Sequence, residues 1–266
     1  MRKMVITLFA LGIIAIMAVP AFAGDLLNEG FSYVNGNLVP NGGWATFSGT
    51  GDIQVASGVA TGKMNVSASA ADDAVPFTGA VVQPTTSPTY YCIDVVIPCA
   101  TLVTPPLAGY FMGLKDAGTS NFVGRVYVLP ITGGWTFGIS NSSTSSTTTF
   151  SATPWGSTPL SCDTHYQIVV KYDPTSSTST LWVNPANESS PSVSNTNATN
   201  GGLAVSTFFL RQGAASTFPA PGFPGTGLWT WATDDAGVGT SFAAACTTRP
   251  TPVNNSTWGQ LKSMYR

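Results

Sequence analysis

The amino-acid sequence predicts an all-β protein that folds as a two-sheet antiparallel β-sandwich of the jelly-roll, concanavalin A-like type. Short runs of alternating apolar and polar residues recur along the chain, and clusters of Gly, Pro, Asn, Ser and Thr separate them. No amphipathic helical pattern interrupts these runs after the N-terminal segment. The runs also lack a fixed repeat, which argues against a propeller or a solenoid.

The clearest strand pair lies within residues 166–183. Ile168, Val170 and Tyr172 alternate with polar residues, and a turn of Asp, Pro, Ser and Thr precedes a second apolar run. The pattern predicts a β-hairpin with one face in a core. Further extended runs are predicted at residues 26–33, 53–59, 62–67, 90–97, 109–114, 122–129, 135–139, 206–210 and 227–233.

The first 23 residues have the pattern of a cleavable secretory signal peptide. Arg2 and Lys3 precede an apolar run over 4–19, and small residues stand at Ala21 and Ala23 before the expected cleavage point. A membrane anchor is the alternative. No later segment is long and apolar enough to span a membrane. We therefore expect a secreted protein, extracellular or at the cell surface.

The charge balance excludes a nucleic-acid partner. Cleavage of the signal would leave eight basic and twelve acidic residues, a net charge of −4. Such a chain is not suited to binding a phosphate backbone. The remaining length of about 240 residues fits a single large sandwich.

Three regions follow the signal. Residues 24–246 form the predicted domain, 247–257 are a linker rich in Pro and Asn, and 258–266 are a basic aromatic tail. Trp258, Leu261 and Tyr265 fall at helical spacing, which predicts a short helix that docks on an apolar surface. A frayed terminus is the alternative.

Four cysteines, Cys92, Cys99, Cys162 and Cys246, predict two disulfides in an exported chain. Three pairings are open. We expect Cys92 to pair with Cys99, because the six residues between them can close at a strand end, and Cys162 to pair with Cys246. Free buried thiols are the alternative. A single histidine and no CxxC spacing give no indication of zinc.

Several segments resemble a known group of proteins. YFMGLKDAGTSNFVGRVYV, TFGISNSST, HYQIVVKYDPTSSTSTLWVNPANESSPSV and STFFLRQ occur in this order. They resemble secreted bacterial proteins with a concanavalin A-like lectin/glucanase jelly roll, a fold shared with LamG-type domains. The opening LLNEGFSYVNGNLVPNGGWATFSG and the late DDAGVGTSF resemble the first and last strands of such domains. The resemblance therefore covers about residues 26–246.

Two details qualify this resemblance. Such domains often carry an Arg and a Trp in the last strand, where this chain has Gly237 and Phe242. The ending Thr-Trp-Gly-x-Leu-Lys-x-x-Tyr-Arg resembles endings of other exported bacterial proteins, which implies a sorting or surface-docking role for residues 258–266.

The superfamily that the chain resembles includes glycoside hydrolases, which need paired carboxylates. The chain has two glutamates, Glu29 and Glu188, and neither lies in a catalytic carboxylate motif. His165 is the only histidine, and there is no GxSxG motif for acyl transfer or Gly-rich Lys-Ser/Thr loop for phosphate transfer. We therefore predict that the chain is not an enzyme.

Aromatic residues are the candidate ligand-binding groups. Trp229 and Trp231 project to the same side of one strand, and Phe218 and Phe223 lie in a Gly/Pro-rich loop over 213–227. Exposed aromatic faces stack on sugar rings in lectin-like folds. Packing in the core is the alternative for each of these side chains.

Acidic residues give a candidate calcium site. Glu29 lies near the first strand and Asp234 with Asp235 near the last, and carboxylate oxygens suit Ca²⁺ where those strands pair. The alternative is that these acids only form hydrogen bonds at a strand end.

These observations together favour a secreted, non-catalytic jelly-roll domain that binds carbohydrate or mediates adhesion at the cell surface. Its expected partner is a glycan or another cell-surface component. A structural protein of an envelope or extracellular matrix is the first alternative, and an atypical glycoside hydrolase is the second.

Overall fold

A computed structural model describes residues 24–64, 70–142, 151–152, 159–197, 202–213 and 227–247, with the backbone alone at 151–152 and 247. The predicted signal peptide, the linker after Thr247, the tail over 258–266, Phe218 and Phe223 lie outside the described residues.

The described residues form sixteen strands and one α-helix. In chain order the strands are β1 Asp25–Glu29, β2 Gly36–Asn37, β3 Ala45–Gly49, β4 Gln54–Ala56, β5 Val59–Met64, β6 Ala71–Pro76, β7 Thr89–Val96, β8 Gly109–Lys115, β9 Phe122–Ile131, β10 Gly134–Ser140, β11 Ser151–Ala152, β12 Tyr166–Asp173, β13 Thr178–Val183, β14 Ser192–Thr196, β15 Thr207–Gln212 and β16 Trp229–Gly239. The helix, α1, spans Phe242–Thr247.

The strands pair into two antiparallel sheets, which confirms the predicted sandwich. The nine-stranded sheet has the order β14-β13-β12-β7-β16-β5-β4-β2, with β1 also paired to β16. The seven-stranded sheet has the order β11-β10-β9-β8-β15-β6-β3. The predicted hairpin is β12 with β13, with Ile168 opposite Val183 and Asp173 opposite Thr178.

The main core lies between the two sheets, and aromatic side chains from both sheets meet there. The ring centroid of Phe111 on β8 is 5.8 Å from that of Trp229 and 6.0 Å from that of Trp231 on β16. Tyr91 on β7 and Phe208 on β15 make a similar contact at 5.5 Å. Burying a side chain of this size stabilises the fold by about 1.5–3 kcal/mol, so this aromatic layer joins the sheets.

The short helix α1 packs on the outer face of the nine-stranded sheet. Phe242 on α1 packs edge-to-face on Trp182 at 5.8 Å, and Val169 lies in the same buried cluster. A disulfide joins Cys246 on α1 to Cys92 on β7. No helix is predicted here from the sequence, because six residues are too few to show a helical pattern.

The four cysteines form two disulfides as predicted, but the predicted pairing is wrong. The bonds are Cys92 with Cys246 and Cys99 with Cys162. From Cys92 the chain runs extended to Val96 at the end of β7, over about 13 Å, whereas a disulfide needs Cα atoms within about 7 Å. The strand therefore holds Cys92 and Cys99 apart.

Among the residues with described positions, no helix combines the length and the hydropathy needed to cross a membrane.

Several buried tyrosines keep their protons in the folded protein. Burial raises the pKa of the Tyr91 hydroxyl, which donates a hydrogen bond to the Gly124 carbonyl at 2.6 Å. Burial also raises the pKa of Tyr172 to about 12, and its hydroxyl accepts a hydrogen bond from the Leu203 amide at 2.9 Å.

These shifts predict a loss of stability in alkali. Above pH ~10 the unfolded chain releases tyrosine protons that the folded protein still holds, so the free energy of unfolding falls as pH rises toward the folded pKa values. We expect about 1.4 kcal/mol per pH unit for each tyrosine that titrates only on unfolding. Denaturant unfolding of the parent protein and of Tyr91→Phe between pH ~9 and ~12 tests this, and the variant should show the shallower pH dependence. An equal slope in both proteins would contradict it.

Candidate functional site

The outer face of the seven-stranded sheet carries a second cluster of aromatic side chains, separate from the main core. Tyr110 on β8, Tyr127 on β9 and Phe209 on β15 are its buried members, and Phe47 on β3 and Phe122 on β9 pack against them. A sheet face that points away from its sandwich partner is normally polar. This face is therefore the unusual surface of the molecule.

Strand alternation places these side chains outside the main core. On β8, Phe111 points into the core and Tyr110 points away from it. On β9, Val126 lies in the core, while Tyr127 belongs to the outer cluster and Arg125 contacts the Tyr127 ring. Successive residues of a strand point to opposite faces, so both faces of β8 and β9 are committed to packing.

The rings of this cluster form a continuous surface across several strands. The Phe209 ring centroid lies 5.3 Å from that of Phe122 and 6.1 Å from those of Phe47 and Tyr110. Tyr110 and Tyr127 stand opposite each other in the β8–β9 pairing, with centroids 5.4 Å apart. The surface thus extends from β9 to β3.

Three cations lie among these rings. The Arg125 guanidinium is 4.8 Å from the Tyr110 centroid, and that of Arg211 is 4.3 Å from the same ring. The Lys115 ammonium is 4.8 Å from the Phe47 centroid. All three distances allow cation–π attraction. We call the set formed by Phe47, Tyr110, Lys115, Phe122, Arg125, Tyr127, Phe209 and Arg211 the cationic aromatic face.

This face concentrates positive charge in an acidic chain. The described part of the chain contains five Lys and Arg residues, and three of them belong to this face. Arg211 forms an ion pair with Asp72, which stands opposite it on β6, with Nε and Oδ1 3.3 Å apart. The face therefore carries more positive than negative charge.

Burial shifts the pKa values of two charged groups on this face. It raises the pKa of Asp72, and the nearby Arg211 guanidinium opposes that shift. Burial also lowers the pKa of Lys115, while Asp116 opposes that shift. Both pKa shifts indicate that these groups are partly removed from water. Charges attract each other more strongly where less water surrounds them, so an anion bound among these cations would interact more strongly than in open solvent.

The face is only partly open to solvent. The Arg211 side chain is 20% exposed and that of Asp72 is 16% exposed. Phe47 and Phe122 are half-buried, whereas Arg125 is 2% exposed. The open part of the face therefore lies over β15, β6 and β3, and it includes Phe122 at the start of β9.

Trp229 and Trp231 are not part of the cationic aromatic face. Both are 0% exposed and point into the main core. Their indole nitrogens donate hydrogen bonds to the carbonyls of Leu107 at 2.8 Å and Arg211 at 3.0 Å. The prediction that these two rings bind a ligand is wrong, because strand alternation turns both toward the opposite sheet. Phe218 and Phe223 lie outside the described residues.

The Glu29 carboxylate is a hydrogen-bond acceptor inside the fold. Oε1 accepts from the Phe31 amide at 2.6 Å, and Oε2 accepts from the Tyr33 hydroxyl at 2.7 Å and the Trp44 indole at 2.8 Å. Burial and this carboxylate raise the pKa of Tyr33. Glu29 therefore ties the β1 strand to the segment that follows it.

The predicted calcium site is not assembled from Glu29, Asp234 and Asp235. Asp234 and Asp235 lie at an irregularity of the β16–β7 pairing, where Asp234 accepts a hydrogen bond from the Asp235 amide at 2.8 Å. In the part of the chain that the structure describes, no three His, Cys, Asp or Glu side chains form a metal-binding group. Because Glu29 is directed to its own hydrogen-bond donors, the alternative of acids that hydrogen-bond at strand ends describes it better.

The cationic aromatic face was not predicted from the sequence. Its signal was present in GRVYV, where Arg125 and Tyr127 alternate with valines, and in FFLRQ, where Arg211 follows apolar residues. A charged residue in the middle of a hydrophobic strand indicates a functional or paired position.

No protein-family model and no curated protein matches the chain. Solved structures do match it. A mutant of alginate lyase Aly36B in complex with alginate trisaccharide has a TM-score of 0.56 at 8% identity, over 82% of this chain and 99% of that chain. Aly36B itself has a TM-score of 0.51 at 9% identity, over 80% and 95%. The CBM2 module of the evolved Dit protein of Lactobacillus casei BL23 phage J-1 has 0.51 at 12% identity, over 81% and 95%.

At these identities the matches show the fold alone, and they agree with the jelly-roll sandwich. The closer resemblance to LamG-type domains stays a prediction. The similarity to Aly36B also overturns the prediction that the chain is not an enzyme. That prediction was based on the motifs of hydrolases, acyl-transfer enzymes and phosphate-transfer enzymes, and none of these motifs tests for a lyase.

Proposed function

We propose that the protein binds a carbohydrate through the cationic aromatic face. The observation that carries this proposal is the continuous layer of rings and cations on the outer side of the seven-stranded sheet. Aromatic faces stack on the C–H surface of sugar rings, and cationic side chains donate hydrogen bonds to sugar oxygens. The alginate trisaccharide complex of Aly36B supports the proposal, since a protein of this fold takes an oligosaccharide.

The open part of the face is where a sugar would bind first. Phe47 and Phe122 offer ring surface there, with centroids 6.0 Å apart, and Arg211 offers hydrogen-bond donors. The buried Tyr110 and Tyr127 support these groups from β8 and β9.

We also propose that the protein acts outside the cell. Two disulfides fit an oxidising compartment, as does the signal-like start of the sequence. The expected partner is thus a glycan of a cell surface or an extracellular matrix.

Affinity electrophoresis through a panel of dissolved polysaccharides tests the proposal. Phe47→Ala should weaken binding about 5- to 20-fold, which corresponds to about 1–2 kcal/mol of lost stacking. Phe242→Ala is the matched control, because Phe242 is also half-buried but packs on the opposite side of the sandwich. It should leave binding unchanged.

Two results would contradict the proposal. Equal weakening by Phe47→Ala and Phe242→Ala would show a general effect on the fold. Retention of the parent protein by none of the polysaccharides would favour the alternative of a structural envelope or matrix protein. Thermal unfolding of both variants shows that they are folded.

Cleavage of the bound polysaccharide is a second candidate function. The observation that favours it is the Tyr110 ring with the guanidinium groups of Arg125 and Arg211 within 5 Å of its centroid. A phenol can transfer a proton, and guanidinium groups stabilise negative charge that develops on a substrate. Chain shortening, measured by size-exclusion chromatography, should fall at least ~100-fold in Tyr110→Phe while binding persists. A parent protein that shortens no polysaccharide would contradict this second candidate and leave the first intact.

A further inference from the structure

We infer that the carbohydrate bound by the cationic aromatic face is an acidic one whose carboxylate groups pair with Arg211, the accessible cation of this face. Arg125 and Lys115 are 2% and 4% exposed, so they add positive charge beneath the surface. This inference rests on the proposed function and names its substrate class. It has three supports: the distribution of charge over the molecule, the type of cation, and the geometry of the cations relative to the rings.

The distribution of charge is the first support. Charged residues make up only 8% of the chain, and its net charge is −2. Three of the five described Lys and Arg residues nevertheless lie on one sheet face, together with one ion-paired carboxylate, that of Asp72. A face built for a neutral sugar needs hydrogen-bond donors and rings but no such excess of positive charge.

The type of cation is the second support. A guanidinium group is planar and presents parallel N–H donors that match both oxygens of a carboxylate. Arginine supplies two of the three cations of this face, at Arg125 and Arg211.

The geometry is the third support. Lys115 lies 4.8 Å from the Phe47 centroid, and Phe47 is part of the open ring surface. Arg211, the most accessible of the arginines on this face, lies on β15 between β8 and β6. A sugar ring stacked on Phe47 or Phe122 would therefore have cations beside it. A uronate sugar carries both the apolar ring face and the carboxylate that this arrangement accommodates.

Asp72 is the group with which an acidic ligand would compete for Arg211. Its carboxylate forms the ion pair with Arg211, and a carboxylate of the ligand would compete with it for the same guanidinium. Removing this negative charge should therefore strengthen the binding of an acidic sugar. If the ion pair of Asp72 and Arg211 only stabilised the fold, removing the Asp72 charge would not strengthen the binding of an acidic sugar.

Calorimetric titration with alginate oligosaccharides, and with the same oligosaccharides after chemical reduction of their carboxyl groups, tests the inference. The native oligosaccharides should bind at least ~10-fold more tightly than the reduced ones. Asp72→Asn should tighten the native ligand at least ~3-fold, and Arg211→Ala should weaken it at least ~10-fold. Asp72→Asn should change binding of the reduced ligand by no more than ~2-fold, and Arg211→Ala should weaken the reduced ligand clearly less than it weakens the native one.

Lys171→Ala is the matched control for charge. Lys171 also lies over an aromatic ring, 5.6 Å from the Tyr90 centroid, and pairs with Glu188 at 3.4 Å, but on the other sheet. Its removal should leave binding of the native ligand unchanged. Arg211→Lys keeps the charge without the planar fork and should retain less than about a third of the affinity.

Each outcome separates the inference from the proposed function. Equal affinity for native and reduced oligosaccharides overturns the acidic substrate and leaves carbohydrate binding intact. Binding of neither, together with no retention by any neutral polysaccharide of the panel, overturns both. Equal loss in Lys171→Ala and Arg211→Ala, or tight binding of poly-glutamate, overturns the inference in favour of general charge attraction. If Arg211→Ala fails to fold, the gain expected for Asp72→Asn decides the matter.

Discussion

Removal of the Cys92–Cys246 disulfide by paired alanine substitution is expected to lower the free energy of unfolding by about 4–5 kcal/mol. The bond joins residues 154 positions apart, so it restrains a very large loop of the unfolded chain. Loop-closure entropy gives about 5 kcal/mol for a loop of this size. Denaturant unfolding measures the loss, and a loss below ~1 kcal/mol would contradict it.

The same substitution should also loosen α1. The helix has six residues, too few to be stable alone, and Cys246 fixes it to β7 while Phe242 packs on Trp182. Hydrogen exchange of the α1 amides should therefore become faster.

The paired replacement of Cys99 and Cys162 is the matched control. This bond spans 63 positions and should contribute a similar stability, about 4 kcal/mol, without touching α1. Equal acceleration of α1 exchange in the two variants would contradict the anchoring role of Cys246.

Glu29→Ala is expected to lower the free energy of unfolding by about 3–5 kcal/mol. The substitution leaves three donors without their acceptor: the Phe31 amide, the Tyr33 hydroxyl and the Trp44 indole. Each buried donor that loses its partner costs about 1–3 kcal/mol, and the carboxylate bonds are charge-assisted. Thermal or denaturant unfolding measures the loss.

Glu29→Gln separates hydrogen bonding from packing. The amide keeps the shape of the side chain and one acceptor oxygen, so it should cost about half as much as alanine. The result would also decide the role of the carboxylate. A calcium-dependent rise in unfolding temperature in the parent protein, lost in both variants, would contradict the hydrogen-bonding role.

Local patterns were sufficient for the strands that form the main core. The hairpin of β12 and β13 and the strands β7 to β10 were predicted within a few residues, because their apolar residues alternate in long runs. Six elements were missed: β2, β3, β6, β11, β14 and α1. β6 has the sequence ADDAVP, in which Asp72 and Asp73 break the apolar pattern, and their roles depend on partners in other strands.

The disulfide pairing and the candidate site depended on tertiary structure. Cys92 pairs across 154 positions with a residue whose helix had no sequence signal. For Trp229 and Trp231, alternation correctly placed both rings on one face of a strand but could not tell which face looks inward. On β8 and β9 both faces are packed, and for that reason the outer rings were not distinguished from core rings.

Mapping of the binding surface by NMR shows whether an acidic sugar binds at the cationic aromatic face. On titration with an acidic oligosaccharide, we expect the largest chemical-shift changes at Arg211, Phe47 and their neighbours on β15, β6 and β3. The outer face of the nine-stranded sheet, marked by Trp182 and α1, should not respond. Changes centred on α1, with none around Arg211, would contradict the account.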